Sequence, residues 1–257
     1  MPDIQFFNVD PPVIETTRWI PLVNKENYLS GYFEYVALAR SVGIPFSDSN
    51  LKRARLFALA GWCEAVCSRG GLDLHHIVEC GCALGHSTFM LASILRGAGF
   101  QKTFHVFDSF EGLSDFSKED LTPITYSVSP DELRRLAPQH RVDGKRLYSG
   151  SLEVFEVMLK KFDFVKPYKG WIPSRFDEVE DLTFSLVTLD LDIFKPTQES
   201  LSFFYPRVVS GGIIWFDDYG LSTWPGCTRA VDNFISDFCK NDLVMKNPFG
   251  GLVILKK

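Results

Sequence analysis

Two pairs of aspartates in the C-terminal part of the sequence stand where apolar runs stop. Asp190 and Asp192 follow one such run, and Asp217 and Asp218 follow the next one along the chain. Long apolar runs predict buried parallel strands, whose carboxyl ends meet at one edge of a sheet. Carboxylates a few ångströms apart repel one another unless a cation or a shared proton relieves them. The pattern therefore predicts a divalent cation at this edge, with Mg²⁺ or Mn²⁺ favoured because every ligand is an oxygen.

The spacing within each pair predicts how the carboxylates reach one site. Asp190 and Asp192 are two positions apart, so on a strand both side chains point to the same face. Asp217 and Asp218 are consecutive and would point to opposite faces of a strand. Both can face the site only if the strand has ended, and the Tyr-Gly pair that follows permits such a turn. The structural alternative is an acidic cluster that caps helices or forms ion pairs with arginines.

A second constellation, built on glycines, follows an earlier strand pattern. Gly81 and Gly85 let the chain turn sharply into a helix, whose N-terminus presents unpaired N–H groups. Ala83 stands where the pyrophosphate fingerprint has its middle glycine, which argues against a dinucleotide. Asp108 ends the next strand pattern and can accept hydrogen bonds from both hydroxyls of a ribose. A ribose without a pyrophosphate indicates S-adenosylmethionine (SAM) as the ligand of this loop.

These residues lie in a chain whose apolar patterns alternate between strand and helix. The predicted strands are His76–Cys80, Thr103–Phe107, Val165–Tyr168, Leu182–Leu189, Gly212–Phe216, Leu243–Lys246 and Leu252–Leu255. The predicted helices are Tyr28–Arg40, Ser49–Ser68, Ser87–Arg96 and one that begins near Pro196. Alternation of this kind is typical of an open, doubly wound α/β sheet with mostly parallel strands.

The last two strand patterns are joined by Asn247–Gly251, a turn too short for a helical crossover. We therefore expect a seven-stranded, Rossmann-like sheet with an antiparallel C-terminal strand. Residues 1–70, which begin with a Pro-rich stretch, are predicted to form an N-terminal helical extension that could act as a lid. Residues 71–257 are predicted to form the main domain, with a long insertion at about 111–162 after the second strand.

Composition narrows the classes of function. The chain has 257 residues, of which 46% are hydrophobic and 23% are charged, so it can bury a large core. A net charge of −5 gives no basic surface for nucleic acid, and small molecules are favoured as partners. Neither a signal peptide nor an apolar run of about 18 residues is recognisable, so no membrane is indicated. We expect a cytoplasmic protein with reduced cysteines.

The chain resembles the macrocin O-methyltransferase (TylF-like) family of class I SAM-dependent O-methyltransferases, which act on sugar hydroxyls of natural products. The resemblance runs from about residue 50 to residue 240. Its matching segments are Val78–Gly81, Phe107–Leu113, Lys169–Trp171, Leu189–Thr197, Tyr205–Arg207, Gly211–Gly212, Asp217–Gly220 and Pro225–Cys227. The glycine loop is common to the superfamily, whereas the Asp-Ser-Phe-Glu-Gly, Asp-Leu-Asp-Ile-Phe-Lys-Pro-Thr and Asp-Asp-Tyr segments together are specific.

The resemblance implies a role for each candidate residue. Asp190, Asp217 and Asp218 would hold the metal, and Asp192 would be the catalytic base. The cofactor would contact Glu79, Gly81, Gly85, Ser87, Asp108, Ser109, Phe110, Gly170 and Trp171. An aspartate with a pKa of about 4 is a weak base for a sugar hydroxyl, and Mg²⁺ would make that hydroxyl more acidic. The implied reaction is metal-dependent methyl transfer from SAM to a hydroxyl of a small polyhydroxylated molecule, a sugar or a glycosylated natural product.

Two other functions fit the same residues. In a catechol-type O-methyltransferase, two adjacent hydroxyls of the acceptor would chelate the metal. A methyltransferase fold that has lost catalysis would instead serve as a binding module, although the intact glycines and all four aspartates argue against such decay. A SAM titration with and without Mg²⁺ separates the methyltransferase from the non-catalytic binding module. A homo-oligomer is compatible with each of them.

Overall fold

The predicted strands and helices form in the order in which their patterns occur along the chain. The computed structural model describes residues 25–44, 49–69, 71, 74–121, 146–247 and 249–257. Its strands are β1 (His76–Cys80), β2 (Phe104–Asp108), β3 (Val165–Lys169), β4 (Phe184–Leu189), β5 (Val208–Phe216), β6 (Leu243–Lys246) and β7 (Leu252–Leu255). Its α-helices are α1 (Lys25–Ser41), α2 (Asn50–Ser68), α3 (His86–Gly97), α4 (Lys118–Leu121), α5 (Leu152–Leu159), α6 (Phe194–Phe204) and α7 (Pro225–Phe238), with 3₁₀ turns at Phe176–Val179 and Tyr205–Arg207.

The seven strands lie in the order β3-β2-β1-β4-β5-β7-β6. The first five strands pair in parallel, and β7 runs antiparallel between β5 and β6. The expected antiparallel C-terminal strand is therefore confirmed. Cys80 lies opposite Leu189, and Leu189 lies opposite Phe216, so the carboxyl ends of β1, β4 and β5 stand at one level. The strand order reverses between β1 and β4, which is the position where open α/β sheets bind ligands.

Alternating side chains of the strands fill two cores, one on each face of the sheet. Ile77 on β1 packs in the core that contains α1, α2, α3 and α5, whereas its neighbour Val78 packs in the core that contains α6 and α7. Tyr32 of α1 and Leu59 of α2 are buried in the first core. The two N-terminal helices are thus part of the packed molecule and cover the sheet beside the glycine loop.

Most predicted element bounds lie within two residues of the observed ones, and the larger differences have local causes. β5 begins at Val208, earlier than predicted, because Val208 pairs with Phe184 across a register shift that the apolar pattern does not reveal. α6 begins at Phe194, just before Pro196, because a proline is tolerated in the first turn of a helix, where its missing N–H is not needed.

The stretch predicted as an insertion after β2 contains regular structure where it is described. α5 buries Phe155 and Met158 and supplies the crossover from β2 to β3. Residues 122–145 of that stretch lie outside the described residues, as do residues 1–24 and 45–48 of the N-terminal region. The lid function of residues 1–70 stays a prediction. No helix within the described ranges has the length and apolar character needed to cross a bilayer.

Candidate active site

The loop that leaves β1 is shaped by two glycines with a left-handed backbone. Gly81 has φ +84° and Gly85 has φ +81°. A Cβ on Gly81 would lie 1.8 Å from the carbonyl oxygen of Asp190, and one on Gly85 would lie 2.9 Å from side-chain carbons of Phe155 and Leu159. Glycine is therefore required for both close approaches. Gly81 also places the predicted cofactor loop directly against the predicted metal site.

Asp108, at the end of β2, binds the loop through three backbone hydrogen bonds. Its Oδ2 accepts from the N–H groups of Cys82 at 2.7 Å and Ala83 at 2.9 Å, and its Oδ1 accepts from the N–H of Phe110 at 2.6 Å. Ala83 and Phe110 have positive φ values of 48° and 55°, so these bonds stabilise two unfavourable backbone conformations. The sequence predicted an acid for ribose here, and the structure adds that the same acid shapes the loop.

Glu79 is buried on β1, beneath the loop. Its carboxylate accepts hydrogen bonds from the hydroxyls of Ser87 and Thr88 at the start of α3. Burial raises the pKa of Glu79 to about 7, and these hydrogen bonds only partly oppose the shift. Glu79 does not line the cavity beside the loop. The structure therefore places it as a support for the start of α3 rather than as an exposed contact for a ligand.

The two aspartate pairs are brought together by backbone bonds that continue the sheet beyond its last regular residues. The N–H of Asp190 donates to the last carbonyl of β1 at 2.9 Å, and the N–H of Asp217 donates to the last carbonyl of β4 at 3.0 Å. One carboxylate oxygen from each of Asp190, Asp192 and Asp218 lies within 4.8 Å of the other two. We call these three residues the acidic triad. Carboxylates at this separation can share one cation.

Asp190 and Asp192 converge for a different reason from the predicted one. β4 ends at Leu189, so the two aspartates do not share a strand face, and that part of the prediction is wrong. Asp192 has φ +60°, and the N–H of Ile193 donates to the carbonyl two residues earlier at 2.6 Å. The N–H of Asp192 donates to Oδ2 of Asp218 at 2.9 Å. A tight three-residue turn centred on Asp192 thus brings its carboxylate to the triad.

Asp217 makes an ion pair that the sequence did not reveal. Its Oδ2 lies 3.1 Å from Nη2 of Arg55 on α2, and the two side chains are only 13% and 16% exposed. Asp217 is outside the group of three close oxygens. Arg55 carries no spacing signal in the sequence, because the helix and the strand end that it joins are far apart along the chain. Its proximity to Asp217 follows only from the packing of α2 onto the sheet.

Burial and mutual repulsion disfavour the ionised carboxylates of the acidic triad. The pKa values of all three are raised well above their usual range, first because of burial and second because of neighbouring carboxylates. Burial also raises the pKa of Asp217, and the Arg55 guanidinium opposes that shift. The Asp190 side chain is exposed to the cavity, where protein atoms lie on most sides of it. A divalent cation would offset the repulsion, so this set of oxygen donors fits Mg²⁺ or Mn²⁺.

A cavity of about 640 Å³ joins the glycine loop to the acidic triad. Small-molecule sites usually measure about 300–1,000 Å³. The predicted residues that line the cavity are Gly81, Ser87, Asp108, Ser109, Trp171, Asp190, Asp192, Asp217 and Asp218. Four predicted cofactor contacts, Glu79, Gly85, Phe110 and Gly170, do not line it. Phe110, for example, is buried with its ring centroid 5.5 Å from that of Phe155, so it packs behind the loop and does not face the cavity.

Two aromatic residues that the sequence pattern did not single out also line the cavity. The ring centroids of Tyr148 and Trp224 lie 6.0 Å apart. The pKa of Tyr148 is raised, first by burial and then by the nearby carboxylates of Asp192 and Asp218. Tyr148 precedes α5 and Trp224 precedes α7, so no sequence spacing connects them. Together they give the cavity an apolar wall beside the acidic triad.

Comparison with solved structures shows a shared fold over nearly the whole chain. The O-methyltransferase NovP superposes with a TM-score of 0.63 at 21% identity, covering 95% of each chain. The calicheamicin methyltransferase CalS11 superposes with a TM-score of 0.55 at 17% identity, covering 93% of this chain and 95% of that one. The expected class I methyltransferase fold is thereby confirmed.

Two curated proteins from Streptomyces are similar in sequence. Demethyldecarbamoylnovobiocin O-methyltransferase from Streptomyces niveus is 24% identical over 173 residues, which cover 63% of this chain and 58% of that protein. The second, from Streptomyces olivaceus, is 8-demethyl-8-(2,3-dimethoxy-alpha-L-rhamnosyl)-tetracenomycin-C 4'-O-methyltransferase. It is 25% identical over 163 residues, which cover 62% of this chain and 57% of that protein. The aligned region therefore spans less than two thirds of either relative.

Residues 49–245 match the family described as Macrocin-O-methyltransferase (TylF). The match includes the glycine loop, Asp108, Arg55 and both aspartate pairs. It covers well over half of the sequence, from the start of α2 to β6. The resemblance seen in the motifs is confirmed, and the chain belongs to the macrocin O-methyltransferase (TylF) family.

Proposed function

We propose that this protein transfers a methyl group from SAM to a hydroxyl of a small polyhydroxylated molecule, with a divalent cation at the acidic edge. The observation that carries the proposal is that one cavity contains both the glycine loop with Asp108 and the acidic triad. Such a cavity can hold a methyl donor and a metal-bound acceptor side by side. Family membership supports methyl transfer as the reaction.

SAM would lie along the loop between β1 and α3. Gly81 lines the cavity at the loop, and Oδ1 of Asp108, which accepts one backbone N–H, keeps a lone pair that can accept a ribose hydroxyl. Ser87, Ser109 and Trp171 line the same cavity. The positive sulfonium of SAM would be favoured by the negative charge of the adjacent carboxylates.

Asp190, Asp217 and Asp218 are the proposed metal ligands, and Asp192 is the proposed proton acceptor. A bound Mg²⁺ or Mn²⁺ would supply Lewis-acid chemistry that makes the acceptor hydroxyl more acidic. Arg55, paired with Asp217, would orient that ligand as an outer partner. Asp192 also qualifies as a ligand on distance alone, since its oxygen lies within 4.8 Å of those of Asp190 and Asp218. The two roles therefore need a direct test.

In the proposed reaction, Asp192 takes the hydroxyl proton as the acceptor oxygen attacks the methyl carbon. The new C–O bond forms while the C–S bond breaks, and the electron pair of the broken bond returns to sulfur. The products are the methyl ether and S-adenosylhomocysteine. The sulfonium already activates the methyl group, so the main task of the protein is to hold oxygen, carbon and sulfur in line.

For the acceptor, we propose a sugar or a glycosylated natural product. The Streptomyces olivaceus relative is named for a rhamnosyl-bearing tetracenomycin, which supports this class. Tyr148 and Trp224 offer a pair of aromatic rings beside the acidic triad. Aromatic faces of this kind can pack against the apolar face of a sugar or against an aromatic aglycone.

Transfer of a labelled methyl group from SAM to a panel of glycosides tests the proposal. We expect labelled product with Mg²⁺, no product after chelation with EDTA, and recovery when Mg²⁺ or Mn²⁺ is restored. Catechols tested in parallel address the catechol-type alternative. Full activity after exhaustive chelation would contradict the requirement for a divalent cation. Absence of SAM binding would contradict methyl transfer from SAM altogether.

A further inference from the structure

Helix α6 begins directly after the Asp192 turn and has no local N-cap. Ile193 occupies the N-cap position, and its side chain makes no capping hydrogen bond. Unpaired N–H groups at a helix start usually need such a partner. The N–H of Phe194 instead donates to Oδ1 of Asp120 at 2.7 Å, across 74 positions of the sequence. A residue from α4 therefore caps the helix that follows the proposed proton acceptor.

The second oxygen of Asp120 fixes the segment to which Asp120 belongs. Oδ2 accepts from both the N–H and the hydroxyl of Ser117, each at 2.8 Å. Asp120 is only 3% exposed, so water competes weakly for these bonds. Nη1 of Arg229 in α7 also donates to the carbonyl of Glu119 at 2.6 Å. The segment is thus attached to both α6 and α7.

Helix α7 leaves room for the Asp120 carboxylate at Gly226. A Cβ at that position would lie 1.7 Å from Oδ1 of Asp120 and 2.9 Å from the backbone nitrogen of Phe194. Any side chain there would displace the carboxylate from the start of α6. The absence of a side chain at Gly226 is a second observation, independent of the hydrogen bond, that the approach of Asp120 to α6 is built into the fold.

We propose that Asp120 is a positioning residue for Asp192, which it holds by capping α6 directly after the turn. A non-glycine residue at φ +60° is strained and persists only when its surroundings fix it. The N–H of Asp192 is held by Asp218 on one side, and the N–H of Phe194 is held by Asp120 on the other. The catalytic consequence rests on the proposed function, whereas the capping contact does not.

Hydrogen–deuterium exchange of residues 190–204, together with Mn²⁺ affinity, tests this role on the full chain without an acceptor. Asp120→Ala removes the hydrogen bond to Phe194 at the start of α6 and the hydrogen bonds to Ser117 beside α4. We expect exchange at the start of α6 to rise about tenfold, in keeping with the loss of a charge-assisted hydrogen bond. The backbone N–H of Asp192 donates to Oδ2 of the proposed ligand Asp218, so a loosened turn also frees that ligand. The Mn²⁺ dissociation constant should therefore rise about 10- to 100-fold, the usual effect of losing an outer partner of a metal ligand.

Two matched variants separate the cap from the rest of the α4 segment. Asp120→Asn keeps an oxygen that can accept a hydrogen bond from the N–H of Phe194. It should therefore retain most of the wild-type protection against exchange at the start of α6 and most of the Mn²⁺ affinity. Ser117→Ala removes one bond on the α4 side only and should leave both values near those of the wild type. A loss with Ser117→Ala as large as with Asp120→Ala would overturn the proposal, because α4 attachment alone would then explain the effect.

Gly226→Ala supplies an independent test, because its Cβ would push the carboxylate away. It should reproduce at least the losses of Asp120→Ala, and the combined variant should lose less than the sum of the two because both substitutions remove the same hydrogen bond. If Asp120→Ala does not fold, the contrast between Gly226→Ala and Asp120→Asn decides the question. Wild-type exchange and Mn²⁺ affinity in folded Gly226→Ala would overturn the proposal. Exchange changes in a protein that binds no Mn²⁺ would support the cap and contradict the proposed metal site.

Discussion

At the scale of single residues, the carboxylates of the acidic edge differ in what holds them. Asp217 is paired with Arg55, whereas Asp192 is held through its backbone N–H by Asp218. An aspartate beside an arginine is stabilised in its ionised form, which suits a metal ligand. Asp192 makes no ion pair with another residue in the described part of the chain, and its carboxylate lies beside those of Asp190 and Asp218. The proposed division into ligands (Asp190, Asp217 and Asp218) and base (Asp192) rests on the family resemblance.

Asp192→Asn and Asp217→Asn should therefore fail in different ways. We expect Asp192→Asn to keep its metal and SAM affinities and to lose turnover by about 10²–10⁴-fold, the usual range for a positioned acid–base group. Asp217→Asn should lose metal affinity first and regain activity at high Mg²⁺. Mn²⁺ titration and turnover of the same acceptor measure both. An Asp192→Asn enzyme rescued by added metal would mean that the two roles are exchanged.

Asp108 should contribute directly to SAM affinity. Asp108→Ala removes a charged acceptor from the loop and from the cavity wall. We expect SAM binding to weaken by about 1–3 kcal/mol, the value of charge-assisted hydrogen bonds. Isothermal titration calorimetry with SAM measures the change, and Asp115→Ala, at an exposed ion pair with Arg146, serves as the control. Unchanged affinity in folded Asp108→Ala would remove this residue from the SAM site.

The raised pKa of Glu79 predicts a specific dependence of stability on pH. The folded pKa of about 7 exceeds the ordinary 4.5, so folding favours the protonated form. This contribution to stability is fully present below pH 4.5 and is lost as the pH rises through 7. Glu79→Gln cannot ionise, so its stability relative to the wild type should improve by up to about 3 kcal/mol between pH 5 and pH 8. Urea denaturation of both proteins across this pH range measures the effect. A difference in the free energy of unfolding that stays constant with pH would contradict the prediction.

At the scale of elements, apolar periodicity was sufficient to predict all seven strands and the sheet edge that carries the site. Strand patterns stop where the aspartates and the glycine loop begin, so the sequence marks the carboxyl ends directly. It does not mark the turn at Asp192, because φ depends on the hydrogen bonds on either side. The contacts Arg55–Asp217 and Asp120–Phe194 were also missed, since they arise when α2 packs onto the sheet and α4 packs against α7 and the start of α6.

The contact between the loop and the acidic edge should make Gly81 intolerant of a side chain. Gly81→Ala combines a positive φ with a Cβ that would lie 1.8 Å from the carbonyl of Asp190. We expect a loss of at least about 2 kcal/mol in the free energy of unfolding. Gly97→Ala, at the end of α3 with no atom within 4 Å of its Cβ, should be neutral or up to about 1 kcal/mol stabilising. Equal stabilities of the two variants would contradict this assignment.

At the scale of the whole molecule, the site forms where three separate parts of the fold meet. α2 contributes Arg55, the loop after β1 contributes Gly81, and the ends of β4 and β5 contribute the aspartates. The loop and the acidic edge lie on opposite sides of the point where the strand order reverses. If the proposed function is correct, the methyl group of SAM and the divalent cation share one cavity.

Paramagnetic broadening by Mn²⁺ of the ¹³C-labelled methyl resonance of protein-bound SAM tests this placement most directly and needs no acceptor. We expect Mn²⁺ to broaden the bound methyl resonance and excess Mg²⁺ to reverse the effect by competition. Asp190→Asn and Asp218→Asn should prevent the broadening while SAM stays bound. A bound methyl resonance that does not respond to Mn²⁺, or that responds in both variants as it does in the wild type, would contradict a shared cavity for SAM and the cation.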